Sequence, residues 1–175
     1  MSQAILKAGE TGGGVDGINP LELRRALGEF ATGVTIVTAR DVERGVVGLT
    51  VNSFASVSLE PPLVLWSLSR RSSSLRAFEA AGHFAVNVLA AEQKWLSDRF
   101  VRPAADKFAG VDWQPGAGGA PVLDGCIASF ECRTRHCLDG GDHVIFLGEV
   151  ERLSRRDGEP LLFLGGRYRL VEPLV

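Results

Sequence analysis

Two apolar runs divided by a pair of prolines constrain this chain most. Residues 46–69 read VVGLTVNSFASVSLEPPLVLWSLS. The runs 46–51 and 63–68 are short, rich in Val and Leu, and read as strands. The first is followed and interrupted by small polar groups: Thr50, Asn52, Ser53, Ser56 and Ser58. A strand that only fills a core has no use for five hydroxyls and amides. Each buried polar group without a partner costs roughly 1–3 kcal/mol. These groups therefore either satisfy one another in a bend or face a ligand rich in hydrogen-bonding atoms.

The remaining chain is also dominated by strands. Asn19-Pro20 with Glu22 reads as a helix start, and Leu23, Leu27 and Phe30 mark one helical face as far as Phe30. From Gly33 the period changes: 34–39 is a β-branched strand, 40–45 a polar turn, and 46–51 the returning strand of a hairpin. Ser53 sits on the otherwise apolar odd-numbered face, which predicts a bulge or bend near Asn52-Ser53. SRRSSS at 69–74 leads into a helix to about Ala81, with a serine as cap and Gly82 as terminator. Residues 84–89 alternate as a strand, and 91–100 form a short helix with Trp95 and Leu96 inward. Residues 102–121 read as a loop of the length often used as a lid or interface arm. Long strands at 126–137 and 143–153 flank a turn at 138–142, a short strand follows at 161–164, and 168–171 closes the chain. Many strands, few helices and hairpin connections predict a mainly β fold, an antiparallel barrel with peripheral helices.

The chain has 175 residues, enough for one domain with a sizeable core. Glycines at 12–14 and 17 make residues 1–17 a flexible tail, which leaves 18–175 as the domain. A net charge of −2 points to neither nucleic acid nor an anionic membrane. No run reaches the ~20 apolar residues of a spanning helix, and residues 1–17 lack the apolar segment of a secretory signal. Three widely spaced cysteines read as free thiols in a reducing cytoplasm.

Several motifs fail on inspection. Residues 116–121, GAGGAP, lack the third glycine of a dinucleotide fingerprint and follow a loop rather than a strand. Cys126, Cys132 and His136 share a strand face, but the outer two lie roughly 33 Å apart at strand rise and cannot meet at one metal. SRRSSSLR is either a solvated basic face or a phosphate-holding turn. His143, beside a glycine pair at a turn, is either structural or placed where backbone approaches a ligand closely.

Six segments in order carry a stronger signal: FATGVTIVTA, GLTVNSFASVSLEPPLVLWSL, HFAVNVLAAEQ, DKFAGVDW, GGDHVIFLGEV and PLLFLGGRY. Over residues 20–168 the chain resembles the short-chain flavin reductases, the NAD(P)H:flavin oxidoreductase components of two-component flavin monooxygenases. The resemblance implies a split β-barrel with Greek-key-like antiparallel strands and flavin at a homodimer interface. It implies that Val46, Val47, Gly48, Leu49, Thr50, Asn52 and Ser53 line the flavin ring and ribityl chain, continued by Ser67, Leu68 and Ser69. Ser73 and Ser74 match the phosphate position, with Arg70 or Arg71 close by, and Phe100 and Val101 match further flavin contacts. His143, in the Gly141-Asp142-His143 triplet, falls at the catalytic position over the flavin where nicotinamide binds. Leu162, Phe163, Leu164 and Gly165 match a further nicotinamide contact. Relatives often carry a polar or charged residue where Gly165 stands.

The activity so implied is hydride transfer from NADH to flavin and release of reduced flavin to a separate oxygenase. The cofactor carries that chemistry, so no side chain has to act as nucleophile, and the chain offers neither a triad nor an acid–base carboxylate pair. FMN is the first choice of flavin and FAD the second; NADH leads and NADPH stays open. Two other readings remain, a flavin-binding sensor or store without reductase activity, and a pyridoxamine-phosphate oxidase-like flavoenzyme.

Overall fold

The computed structural model describes residues 17–43, 45–104 and 106–172. Apart from Gly17, the expected tail lies outside the described residues.

The first helix, α1 (Pro20–Gly28), starts where the sequence predicts: Asn19 Oδ1 accepts from the Leu21 amide at 2.8 Å, and Pro20 takes the first helical position. It ends before Phe30, and none of its side chains is buried. The strands β1 (Thr32–Gly33), β2 (Thr35–Asp41) and β3 (Gly45–Val51) follow, β2 and β3 forming the expected hairpin. Next come β4 (Ala55–Leu59), β5 (Pro62–Ser69), α2 (Leu75–Ala81), β6 (His83–Val88) and α3 (Lys94–Val101). The short strands β7 (Trp113–Pro115) and β8 (Pro121–Leu123) precede the long pair β9 (Ala128–Gly140) and β10 (His143–Arg155), and β11 (Leu162–Leu164) and β12 (Arg167–Arg169) end the fold.

One antiparallel sheet runs in the order β3-β2-β6-β9-β10-β5-β4, with a three-stranded sheet β1-β11-β12 and the β7–β8 hairpin beside it. This is the mainly β, split-barrel architecture the sequence predicts. Its edge strands, β3 and β4, are consecutive in the chain and joined by the bend at residues 52–54. The bend has a plain cause. The Ser53 hydroxyl accepts from the Ser67 amide at 3.0 Å and donates to the Ser67 carbonyl at 3.1 Å, which fastens the turn to β5. The register shift itself lies farther on, between Ser56 and Ser58.

Two expectations need correction. Residues 102–121 are not loop throughout, because the β7–β8 hairpin begins inside them. Gly118 and Gly119, at φ +60° and +76°, make its tight reversal, and the Gly116 amide donates to Ala120 O at 2.8 Å. Trp95 is not inward but 52% exposed; the buried face of α3 is Leu96, Ser97 and Phe100.

The core has two parts, and β2 belongs to both. On one side Val37 and Ala39 pack with Trp66, Phe78, Phe84 and Phe146. Trp66 stacks on Phe146 at 4.6 Å between centroids and meets Phe78 edge-on at 5.0 Å. On the other side Val34 and Ile36 pack with Leu89, Leu96, Phe100, Phe108 and Leu161.

A buried polar group fastens β8 to this sheet. Asn87 Nδ2 donates to Ile36 O at 3.1 Å and Pro121 O at 3.3 Å, while its Oδ1 accepts from the Leu123 amide at 2.9 Å and the Ser129 hydroxyl at 3.2 Å. Thr38 Oγ1 donates to Pro121 O at 2.5 Å. Orphaning several buried partners at once costs about 1–3 kcal/mol for each. Asn87→Leu is therefore expected to lower unfolding free energy by at least ~2 kcal/mol, measured by urea denaturation; a loss within ~0.5 kcal/mol would contradict this account.

Candidate active site

A cavity of about 710 Å³ opens where β3, the β5–α2 connection and the end of α3 come together. Its wall contains Val46, Val47, Gly48, Leu49 and Thr50 of β3, Leu68 and Ser69 of β5, Ser73 and Ser74, and Phe100 and Val101 of α3. Those eleven are among the residues singled out from sequence. Its wall also contains Arg71, Ser72, Pro103, Ala104, Asp106, Lys107 and Phe108.

Gly48 allows these elements to converge. A Cβ placed there would lie 2.7 Å from Phe100 Cε1 and 3.1 Å from Phe108 Cζ. The bare backbone lets both rings press against β3. Phe100 and Phe108 meet edge-on at 5.0 Å. Lys107 Nζ donates to Phe100 O at 2.8 Å and Gly48 O at 3.3 Å, tying the segment after α3 to the strand. Asp106 Oδ1 accepts from the Phe108 and Ala109 amides, which sets the turn that delivers Lys107. Burial pushes the Lys107 pKa down.

The polar residues of the opening stretch divide by their partners. Thr50 Oγ1 donates to Ser97 O at 2.8 Å. From Ser97 a chain of hydrogen bonds runs to the Tyr168 hydroxyl at 2.9 Å and on to Asp98 Oδ1 at 3.1 Å. Ser53 and Ser67 bind each other as described, and neither lines the cavity; nor does exposed Asn52. Ser56 and Ser58 lie on β4 away from the cavity wall, and the Ser58 hydroxyl accepts from the Glu60 amide.

The β5–α2 turn is built from its own serines. The Ser72 amide donates to Ser69 O at 2.9 Å, and the Ser74 amide donates to the Ser72 hydroxyl at 3.3 Å. Ser74 occupies the cap position of α2 without a side-chain capping bond. The two arginines separate. Arg70 donates to Gly141 O and to Asp139 Oδ1, both at 2.9 Å, so it braces the β9–β10 turn and holds the Asp139 carboxyl below its usual pKa. Arg71 lines the cavity.

His143 is outside the cavity lining but adjoins it, since its register partner on β5 is Ser69. Its Nδ1 lies 2.7 Å from Asp142 Oδ1. A carboxylate oxygen accepts, which puts the proton on Nδ1 and leaves Nε2 for a ligand. Leu162, Phe163, Leu164 and Gly165 lie on β11 and its turn, also outside the cavity lining. Phe163 pairs with Thr32 of β1, and the Gly165 amide donates to Gly28 O at 2.9 Å. Gly165 has φ +58°, a conformation that favours glycine, so the departure from a polar residue there suits this turn. Among the described residues no cluster of His, Cys, Asp and Glu could hold a metal. Burial pushes the Cys126 and Cys132 thiols up to about 12, so neither is a ready thiolate.

A family model described as flavin reductase like domain matches residues 27–172. The chain belongs to this family. It is 53% identical over 152 residues to the FMN reductase (NADH) SmoA of Agrobacterium fabrum, covering 87% of this chain and 86% of that one. It is 45% identical over 161 residues to HsaB of Mycobacterium tuberculosis, the reductase subunit of a flavin-dependent monooxygenase, covering 89% of this chain and 84% of that one. The Streptomyces globisporus NADH:FAD oxidoreductase SgcE6, solved in complex with NAD and FAD fragments, superposes with a TM-score of 0.85 at 41% identity, over 93% of this chain and 98% of that one.

Within this flavin reductase-like domain, Asp106, Lys107 and Phe108 also line the cavity, beyond the residues expected from sequence. They stood in view in the segment DKFAGVDW, but only the fold brings that segment against Gly48. Gly48→Ala is expected to displace the Phe100 ring and destabilise the protein by about 1–3 kcal/mol. Thermal denaturation checks the stability, and titration with FMN checks the accompanying loss of affinity; unchanged values in both would refute this packing role.

Proposed function

We propose that this chain, through one domain over residues 18–175, transfers hydride from NADH to flavin and supplies the reduced flavin to a separate monooxygenase. The observation that carries the reading is the cavity itself, whose wall joins aromatic rings and a bare strand to hydroxyls and a guanidinium. Its volume lies within the range of roughly 300–1,000 Å³ usual for small-molecule sites. A flat, largely apolar ring bearing a phosphate fits that chemistry. The relatives named FMN reductase, NADH:FAD oxidoreductase and monooxygenase reductase subunit support it.

Bound flavin supplies the two-electron acceptor; the chain supplies binding and orientation. Val46, Val47, Gly48, Leu49 and Thr50, with Leu68 and Ser69, form the ring wall, and Phe100 and Val101 close it. Asn52, Ser53 and Ser67 act on this wall from behind, through the bend. Ser73, Ser74 and Arg71 take the phosphate, while Arg70 serves the neighbouring turn. His143, its Nδ1 held by Asp142, positions the nicotinamide against the ring, and Leu162, Phe163, Leu164 and Gly165 receive the rest of that nucleotide. FMN fits the phosphate-holding groups, FAD extends beyond them, and NADH precedes NADPH as donor. The site leaves flavin held without a covalent bond and free to depart.

The active form in this reading is a cytoplasmic homodimer. Exposed apolar side chains on α1 (Leu21, Leu23 and Leu27) and just beyond it, with Phe30 77% exposed, support a partner surface, and the three cysteines, all free thiols, suit a reducing compartment. Analytical ultracentrifugation is expected to give twice the 18.7 kDa chain mass; a monomer at micromolar concentration would overturn the dimer.

The activity is tested by mixing protein, FMN or FAD, and NADH, and following nicotinamide absorbance. Consumption with neither flavin would leave a store or sensor. His143→Ala is expected to lower NADH turnover by up to roughly a hundredfold, the scale of a misplaced reactant, with oxidised-flavin affinity nearly unchanged. Turnover equal to that of the unaltered protein would remove His143 from this role.

A further inference from the structure

We propose that Lys107 is a positioning cation that favours the reduced over the oxidised form of the flavin in this cavity. The inference rests on the flavin reading above and adds to it a residue whose charge the binding of a neutral ring does not use.

Lys107 forms part of the cavity wall on the segment after α3. Its Nζ donates to two carbonyl oxygens, Phe100 at 2.8 Å and Gly48 at 3.3 Å, both of residues that also line the cavity. An ammonium has three N–H donors. No carboxylate forms an ion pair with it among the described residues, and the third donor has no partner there. The adjacent carboxylate, Asp106, turns its Oδ1 to the Phe108 and Ala109 amides. Phe100 and Phe108 pack against the same glycine of the wall, edge-on to each other. The site therefore holds a half-buried positive charge that donates to two carbonyls and has no ion-pair partner among the described residues. The lowered pKa agrees with an ammonium short of solvent, a condition that an anion beside it relieves.

The reaction generates such an anion. Hydride transfer breaks one C–H bond of the nicotinamide and forms one N–H bond on the flavin ring, carrying a proton and two electrons across. The nicotinamide becomes a cation, and the ring gains one negative charge. A fixed cation at the ring wall is more attractive to the ring after that step than before it, and charge placed near the ring is a lever on flavin electronics. Arg71 is the other basic residue of the wall, but it lies in the β5–α2 turn with the serines, whereas Lys107 contacts Gly48 in the middle of the ring wall.

The test compares affinities for oxidised and photoreduced FMN, titrated anaerobically without nicotinamide. The phosphate charge is common to both forms and cancels in their ratio. Lys107→Met and Lys107→Gln are expected to weaken reduced FMN about tenfold more than oxidised FMN, equivalent to ~30 mV in the two-electron potential of bound flavin. Lys107→Arg, which keeps the charge, is expected to retain the original ratio. Lys107→Gln keeps a donor for the carbonyls, so it carries the comparison if Lys107→Met does not fold. Equal weakening of both forms in Met and Gln variants, or no rescue by Arg, would show a purely structural lysine and overturn the proposal. Failure of the unaltered protein to bind either form would refute the flavin reading itself, a result distinct from an unchanged ratio.

Discussion

The strand β2 has almost no solvent-facing side, and the rest of the molecule follows from that. Its first five residues are all buried, three of them aliphatic or alanine and two of them threonine. Val37 and Ala39 face the aromatic cluster around Trp66, and Ile36 faces the cluster beneath α3. A strand buried on both faces must find partners on both edges as well, and β3 and β6 supply them. The two threonines are tolerable only because each has an acceptor: Thr35 donates to Val51 O, and Thr38 to Pro121 O. Once β2 is fixed, β3 is fixed beside it, and one wall of the cavity is in place.

The cavity then arises from an omission. Where most core strands present side chains to their covering helix, β3 presents Gly48, and the end of α3 and the segment after it settle onto backbone. The hydroxyls that made this stretch conspicuous serve mainly to hold that arrangement. Thr50 ties β3 to α3, and Ser53 ties the following bend to β5. The surface left for a ligand is therefore rings, aliphatic groups, backbone, the serines of the β5–α2 turn, and the charged groups of Arg71, Asp106 and Lys107.

Strand positions, hairpins and helix caps were legible because they depend on neighbours in sequence: Asn19 with Pro20, Gly82 after α2, alternation in β6. The β7–β8 hairpin was not, since its strands are three residues each and their stability comes from Asn87, far away in sequence. Trp95 shows the complementary failure. An apolar residue beside Leu96 reads as core, yet the helix turns adjacent side chains roughly 100° apart, and only one of the two meets the sheet. The polar insert at 50–58 needs partners, as its composition implies, but composition does not distinguish a hydroxyl pointed at a ligand from one spent on the next strand. Lys107 escaped for the same reason, because a lone lysine in a loop has no sequence signature of burial.

Three consecutive residues, Ser69, Arg70 and Arg71, divide the work at this side of the site. The first is the cross-strand neighbour of His143, the second clamps the turn before that histidine by side chain and backbone, and the third belongs to the cavity wall. The histidine turn and the cavity rim thus share a single stretch of main chain as their common mount. A shift that opens one cannot leave the other where it was, so this side of the site behaves as one jaw rather than two independently hinged lips.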